Sequence, residues 1–266
     1  MGLIHMAANN QEPLSFARLV AREERRPTYP QSLVELAYEQ LLSMLVTMKI
    51  APGAHIGIEA LARQLDISQT PIREALTLLE AQKLAYKIPN VGFRAAELLT
   101  RQEVHDLFDL RLLIEPAAAA FAAQKADDAA LQRLAGLAGD MSDAQTGNEL
   151  AYAQFAEGDA RLHHLVAAAS GNRFIAETVE GLHAHLHIFR FLFRTNATTK
   201  AVQEHEAIIK ALLARDPAAA ERAMREHLKA SRARMNVVLE ELERTTETGP
   251  APEAGGRTRR GRTRRR

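Results

Sequence analysis

The chain has 266 residues, of which 47% are hydrophobic and 25% charged, enough for one large globular domain or two of ordinary size. It contains no cysteine, which excludes disulfides and thiolate metal sites, so any bound metal ion would need histidine and carboxylate ligands. The formal net charge of +1 hides an uneven distribution, because the segment RTRRGRTRRR at 257–266 holds seven arginines and no acid, while the remainder has 27 basic and 33 acidic residues.

The apolar runs and the ends of the chain indicate where the protein resides. The longest apolar run, AAAAFAA at 117–123, is far shorter than a membrane-spanning helix, and residues 1–30 lack the apolar core of a signal peptide. We therefore expect a cytoplasmic protein. We interpret residues 1–30 as a peripheral extension, disordered in part or with one short helix, and residues 246–266 as a disordered arginine-rich tail.

The first predicted elements are three helices. Residues 32–48 have apolar positions at helical spacing and end at a Pro-Gly turn. A second helix covers about 58–65, and Ser68 is a suitable N-cap for a third, which runs to about Lys83 with Pro71 in its first turn. Two short helices joined by a three-residue turn predict a helix-turn-helix unit.

Residues 84–98 change from a helical to an alternating pattern. Tyr86 and Ile88 alternate with polar positions, a Pro-Asn-Val-Gly turn follows, and Phe93 begins a second short strand. A helix-turn-helix followed by a hairpin is the winged-helix arrangement. We therefore predict a winged helix-turn-helix DNA-binding domain over residues 31–97.

From residue 100 onward the pattern is helical throughout. Thr100 and Glu103 have the spacing of a capping box at the start of a helix, and Asp216 and Pro217 mark the start of the last one. The fold class is therefore mainly α, with an all-helical domain over residues 100–245. Its helices are predicted at about 100–123, 127–143, 149–170, 173–194, 199–214 and 217–244.

Candidate DNA contacts lie at the N-terminus of the second helix of the helix-turn-helix unit, which is the part that enters the major groove. Gln69 can pair with adenine and Arg73 with guanine, whereas Ser68 and Thr70 suit phosphate contacts. Gly92 would let the backbone of the wing approach the duplex. It is equally open that Ser68 only caps the helix and Arg73 is a solvated charge, since the predicted domain holds six basic and seven acidic residues.

Four ionisable residues share faces with apolar residues in the helical domain. Asp159 and His163 lie on the apolar face of one helix, and His205 and His227 lie on the apolar faces of two later helices. Burying a carboxylate without a partner is costly, and convergence on one metal ion would resolve the cost. One carboxylate and three imidazoles suit zinc first, or nickel or manganese, and leave coordination positions open.

Other interpretations of the histidines stay open. Each of the candidate ligands could be a satisfied core or interface residue. His183, His185 and His187 form a rival cluster, HAHLH, but helical geometry puts them beside the apolar stripe of their helix. His183 and His187, four residues apart, could still bind a metal ion as a pair, but for these three we expect a position at the rim of a pocket or in solvent.

The segment LARQLDISQTPIREALTLLEAQKL resembles the signature of GntR-type bacterial regulators, and LRLLIEPAAAAFAA resembles the FCD effector domain of the FadR subfamily. The resemblance covers roughly residues 32–240. The family usually has Arg at the position of Gln69 and Gly at that of Asp66, and often Gly at Lys83 and a basic residue near Val91. Because Asp tolerates left-handed backbone, these departures should change the operator sequence and keep the fold.

The resemblance also implies a function for the helical domain. The FCD pattern is an Asp and a His four residues apart, then one His on each of two later helices, which matches the four candidate ligands. In that family the metal ion and an arginine bind the carboxylate of a small organic acid. Arg111 would be this arginine, or else a structural partner of Glu115, and Asn172 would line the pocket or merely cap a helix.

We expect a homodimeric repressor of transcription, whose affinity for operator DNA changes when a small carboxylic acid binds the metal ion and Arg111. The two recognition helices of the dimer would read half-sites about one turn apart. Release of DNA by the acid is the commoner response in the family, and the sequence leaves its sign open. The rival function is a metal-dependent hydrolase or dioxygenase that uses the same Asp and His residues, although no HExxH-type base accompanies them.

Overall fold

The computed structural model describes residues 32–143, 148–193 and 195–247. The predicted N-terminal extension and the arginines of the tail lie outside these residues. The described chain is mainly α-helical, as predicted, with one small sheet. None of its helices is long and apolar enough to cross a membrane.

The N-terminal part contains three helices and a three-stranded sheet. In chain order these elements are α1 (Leu33–Val46), β1 (His55–Ile56), α2 (Ile58–Leu65), α3 (Gln69–Ala81), β2 (Ala85–Ile88) and β3 (Gly92–Ala95). Helix α1 begins with a capping box, in which the Ser32 hydroxyl accepts the N–H of Glu35 and the Glu35 carboxylate accepts the N–H of Ser32. The elements form the predicted winged helix-turn-helix.

The sheet is antiparallel, with β3 at its centre between β1 and β2. Ile56 of β1 and Lys87 of β2 both lie opposite Phe93, whose side chain is 3% exposed. The hairpin of β2 and β3 was predicted from its alternation. The strand β1 was not, because two residues are too few to show an alternating pattern.

The C-terminal part is helical throughout its described residues. In chain order its helices are α4 (Arg101–Lys125), α5 (Asp128–Asp143), α6 (Glu149–Ala169), α7 (Arg173–Leu182), α8 (Ala184–Leu192), α9 (Ala197–Leu213) and α10 (Pro217–Glu247). The predicted capping box of Thr100 and Glu103 is present at the start of α4. Asp216 caps α10 by accepting the N–H of Ala219, also as predicted.

The prediction of one continuous helix over 173–194 is wrong. His183 adopts a left-handed conformation with φ 47° and ψ 30°, which ends α7 and separates it from α8. The periodicity counted along α7 therefore does not apply to α8. His185 and His187 are buried, at 4% and 7% exposure, so the expectation of a solvent position is wrong for both, whereas His185 does line the small cavity described below.

One hydrophobic core joins the two parts of the chain. Leu42 of α1 and Leu76 of α3 belong to the same buried cluster as Phe155 of α6 and Ile208 of α9. Helix α4 contacts α6, α9 and α10, and so holds these three helices around a common centre. All four predicted metal ligands lie on these three helices.

Candidate metal centre and DNA-binding face

The first turn of α3 presents polar side chains to solvent. Ser68, Gln69, Thr70 and Arg73 are all exposed, while the apolar face of the helix is buried. Arg73 Nη2 lies 3.4 Å from Gln69 Oε1. Ser68 is the N-cap residue, but its side chain makes no capping bond, so its hydroxyl is available to donate a hydrogen bond to a phosphate. The four residues form one polar surface suited to the edge of a DNA groove.

Three backbone positions in the winged helix-turn-helix adopt left-handed conformations. Asp66 ends α2 with φ 52° and ψ 43°, which is the conformation expected where the resembling family has glycine. Lys83, after α3, has φ 60°, and Gly92 in the wing has φ 115°. A side chain other than glycine costs about 1 kcal/mol in this region, which the fold tolerates at Asp66 and Lys83.

The four predicted metal ligands come together at the centre of the helical part. Their exposures lie between 1% and 4%, and each offers one ligand atom within 4.8 Å of the others. Nε2 of His205 lies 2.9 Å from Oδ1 of Asp159. Nε2 of His163 lies 3.2 Å from Nε2 of His227. The face analysis of three separate helices therefore identified residues that meet in space.

Several of these polar atoms have no hydrogen-bond partner within the described residues. They are Oδ1 of Asp159 and both ring nitrogens of His205, all fully buried. The 2.9 Å contact between them does not have hydrogen-bond geometry, so it leaves both atoms unsatisfied. Unsatisfied buried polar atoms are rare in folded proteins. A cation bound between them would satisfy the oxygen and one nitrogen.

The protonation states at the centre suit metal binding. Burial raises the pKa of the Asp159 carboxyl, but His185 and then His205 hold it well below its usual value. Burial, more than any neighbour, lowers the pKa of His227 to about 4. At neutral pH the centre thus offers an ionised carboxylate and a neutral imidazole, the forms in which these groups bind metal ions.

Arg111, the predicted effector ligand, is buried beside this centre with 1% exposure. Its Nε lies 2.5 Å from Oε1 of Glu115, so the structural pairing considered for it is present. Its Nη2 also lies 2.7 Å from Nε2 of His185. Glu115, His163 and His185 could by distance hold a second cation, but the Arg111 guanidinium already provides the positive charge between Glu115 and His185. We therefore consider a single candidate metal centre, that of the four predicted ligands.

A small cavity adjoins the centre and holds about 10 Å³, which is room for about one water molecule. Three of the predicted site residues, Arg111, Asp159 and His227, contribute to its wall. Ser231 and Arg234 of α10 line it as well, and neither was predicted. Arg234 lies seven residues after His227, two turns along the same helix face, and this spacing was a usable signal.

Asn172 does not line the cavity. It is exposed, and its Oδ1 accepts the N–H groups of Phe174 and Ile175 at the start of α7. Its side chain therefore has the helix-capping role that was the alternative for it.

Two sequence profiles of known families match the chain. The profile described as bacterial regulatory proteins, gntR family, matches residues 33–94, and that of the FCD domain matches residues 106–230. The exposed face of α3 lies within the first match, and the four buried ligands lie within the second.

Similar proteins with curated descriptions are transcriptional regulators. The Nta operon transcriptional regulator of Aminobacter aminovorans is 29% identical over 149 residues, which are 56% of this chain and 69% of that protein. LutR of Bacillus subtilis is 27% identical over 213 residues, 70% of this chain and 93% of its own length. The repressor GlaR of Escherichia coli is 25% identical over 203 residues, 72% and 90% respectively.

Solved structures show the same fold. McbR/YncC of E. coli aligns with a TM-score of 0.58 at 20% identity and covers 80% of this chain and 100% of its own. A regulator from Rhodococcus sp. RHA1 aligns with a TM-score of 0.57 at 18% identity, over 78% and 99% of the two chains.

Proposed function

Because the chain belongs to the GntR family of bacterial regulatory proteins and carries an FCD domain, we propose that it is a repressor of transcription. In this proposal its affinity for operator DNA is set by a small organic acid that binds at a metal ion. Its relatives are transcriptional regulators, which sets aside the alternative of a metal-dependent hydrolase or dioxygenase. The relative GlaR of E. coli is described as a repressor, which supports the proposal that this protein represses transcription. Assignment to the FadR subfamily is part of the same proposal.

The convergence of Asp159, His163, His205 and His227 is the observation that carries the proposal. A divalent cation held by these four residues would satisfy the buried oxygen of Asp159 and a ring nitrogen of His205, which lack hydrogen-bond partners among the described residues. The donor set of one oxygen and three nitrogens fits zinc first, and nickel or manganese as well. A bound ion would supply a positive charge with open coordination positions for a carboxylate.

Arg111 and the cavity support the part of the proposal that concerns the acid. A guanidinium on the wall beside the metal ligands would attract a carboxylate. Because the cavity holds about 10 Å³ and Glu115 already pairs with Arg111, an acid can enter only if the cavity widens and Arg111 exchanges partners. Acid binding would therefore favour a different arrangement of the surrounding helices.

Helix α8 links this cavity to the DNA-binding domain. His185 of α8 contacts Arg111 at the cavity, and Arg190 of the same helix is 1% exposed. Arg190 donates hydrogen bonds to the carbonyls of Ala96 at 2.6 Å and Glu97 at 3.0 Å, directly after β3. A movement of α8 would thus reach the wing, and through it the spacing of recognition helices in a dimer.

An exposed apolar face on α4 and α7 supports a homodimer. Leu113 and Phe121 of α4 are 76% and 39% exposed, and Phe174 of α7 is 66% exposed. The two helices contact each other, so the three side chains belong to neighbouring surfaces. Exposed apolar patches mark interaction sites. We assign a second copy of this chain to this face, because two-fold symmetric proteins match operators built of two half-sites.

Metal analysis of the purified protein tests the proposal. Wild-type protein should bind about one equivalent of zinc per chain, and His163→Ala should bind none. Removal of the metal with a chelator should lower the Tm of the wild type but not of His163→Ala, because an ion that binds only the folded state stabilises it. The variant His55→Ala changes an exposed histidine of β1 and should match the wild type. A wild-type protein that binds no zinc would overturn the metal centre.

A further inference from the structure

We propose that Glu204 is a positioning residue, which fixes the ring of His227 so that its Nε2 faces the metal ion. The inference rests on the proposed function, because it assumes that the four ligands hold a metal ion. Glu204 precedes the ligand His205 on α9, and its Oε2 lies 2.8 Å from Nδ1 of His227 on α10. Of two consecutive residues in α9, His205 would thus bind the metal ion and Glu204 would hold the second ligand, His227, in place.

The contact with Glu204 determines the tautomer of His227. An ionised carboxylate can only accept hydrogen bonds, so Nδ1 of His227 must carry the proton. In a neutral imidazole the other nitrogen, Nε2, then has a free lone pair. His227 is therefore held in the form that can bind a metal ion through Nε2.

The same arrangement recurs at His163, on the opposite side of the centre. Its Nδ1 lies 2.5 Å from Oε2 of the buried Glu115, which fixes the proton on Nδ1. If each ring is neutral with its proton on Nδ1, the Nε2 lone pairs of His163 and His227 face each other at 3.2 Å. Two lone pairs at this distance repel unless a cation binds both. Nitrogen ligands of a tetrahedral zinc ion, each about 2.1 Å from it, lie about 3.4 Å apart.

Glu204 is itself held in a fixed orientation. Arg234 donates from Nη1 to Oε1 at 2.6 Å and from Nη2 to Oε2 at 2.9 Å, a two-point contact that prevents rotation of the carboxylate. The side chains of Arg234 and Glu204 are 15% and 22% exposed. A carboxylate that only joined α9 to α10 would need the contact with Arg234 alone. The additional contact with Nδ1 of His227 is the one that positions a metal ligand.

Zinc affinity of the full-length chain, measured by competition with a chelating dye, tests the inference. Glu204→Ala should bind zinc about 10- to 100-fold more weakly than the wild type, the loss typical of removing a carboxylate that supports a histidine ligand. Glu204→Gln should lose less, because its amide oxygen can still accept from Nδ1, and it serves if Glu204→Ala fails to fold. Glu206→Gln changes an exposed glutamate two residues along α9 and should bind like the wild type.

A second readout separates positioning from a purely structural role. In metal-free protein labelled with ¹⁵N-histidine, the His227 ring should show the Nδ1–H tautomer in the wild type and a shift toward Nε2–H in Glu204→Ala. Zinc affinity and tautomer that both stay as in the wild type would overturn the role of Glu204 and leave the metal centre intact. A wild-type chain that binds no zinc would instead overturn the proposed function, and the inference with it.

Discussion

The hydroxyl of Tyr38 lies 3.2 Å from Oε1 of Glu157 and thereby joins α1 of the DNA-binding domain to α6, the helix that carries Asp159 and His163. The same hydroxyl lies 2.8 Å from Nε2 of Gln82, the residue that ends the recognition helix α3. Glu157 precedes Asp159 by two residues. One buried phenol therefore contacts both the end of α3, the proposed recognition helix, and α6, which carries two of the proposed metal ligands.

The substitution Tyr38→Phe should weaken communication between the two parts. Loss of the hydroxyl removes hydrogen bonds to Gln82 and Glu157 and should lower the free energy of unfolding by about 1 kcal/mol, measured in urea. The ratio of the DNA Kd values of zinc-loaded and metal-free protein should move toward one. Tyr86→Phe changes a tyrosine of β2 that is 39% exposed and is the matched control. An unchanged ratio in Tyr38→Phe would exclude this route.

The exposed face of α3 predicts the effect of Arg73→Ala on DNA binding. If Arg73 reads a base, its loss should weaken binding to the preferred sequence by about 1–3 kcal/mol and relax the choice of base at one position. The measurement is anisotropy with duplexes selected from a random pool by the wild type. Lys210→Ala, at an exposed position of α9, should have no effect. Equal affinity of wild type and Arg73→Ala would show that the recognition face is elsewhere.

His187 predicts acid sensitivity of the metal-free protein. Burial, followed by the charge of Arg190, lowers its pKa from 6.5 to about 4. Below pH 6.5 the His187 ring is protonated in the unfolded chain but stays neutral in the folded chain down to about pH 4. The free energy of unfolding is therefore highest above pH 6.5 and decreases as the pH falls toward 4, by up to about 3 kcal/mol from this residue. His187→Gln should flatten the dependence of unfolding free energy on pH between these values. An equally steep dependence would mean that other groups cause it.

The arginine-rich segment at 257–266 predicts a contribution to DNA binding that does not depend on sequence. Truncation after Gly249 removes all seven arginines of the segment. Affinity for all duplexes should then fall alike, and the plot of log Kd against log salt concentration should become shallower. The selected and a scrambled duplex serve as the two arms of the measurement. Unchanged affinity at low salt would assign the segment no role in binding.

Most of the helices could be predicted from the sequence, because apolar periodicity and capping residues are local signals. The meeting of Asp159 with His205 and His227 could be predicted as well, since burial of several ionisable groups on inward faces has few low-energy solutions. Turn conformations were harder to predict from the sequence than helices. The left-handed backbone falls on His183 and not on the nearby Gly181, and the break there separates α7 from α8.

The polar partners of the ligands could not be predicted from helix faces. Glu204 lies beside His205 in sequence but points toward His227 on another helix, and which helices are neighbours depends on tertiary packing. Arg111 and Glu115 were recognisable as a pair four residues apart, yet their contacts with His163 and His185 depend on how α4, α6 and α8 meet. The sequence thus identified the candidate ligands, and the structure identified the polar groups that contact them.

The central claim is that an acid bound at the metal centre controls DNA affinity. The most direct measurement is the Kd of zinc-loaded protein for a selected duplex, with and without lactate, pyruvate, succinate or citrate. At least one acid should raise the Kd by about 5-fold or more, within the usual range of coupling between two sites, and the effect should vanish in His163→Ala. If no small carboxylic acid changes the Kd of the zinc-loaded wild type, the account is contradicted.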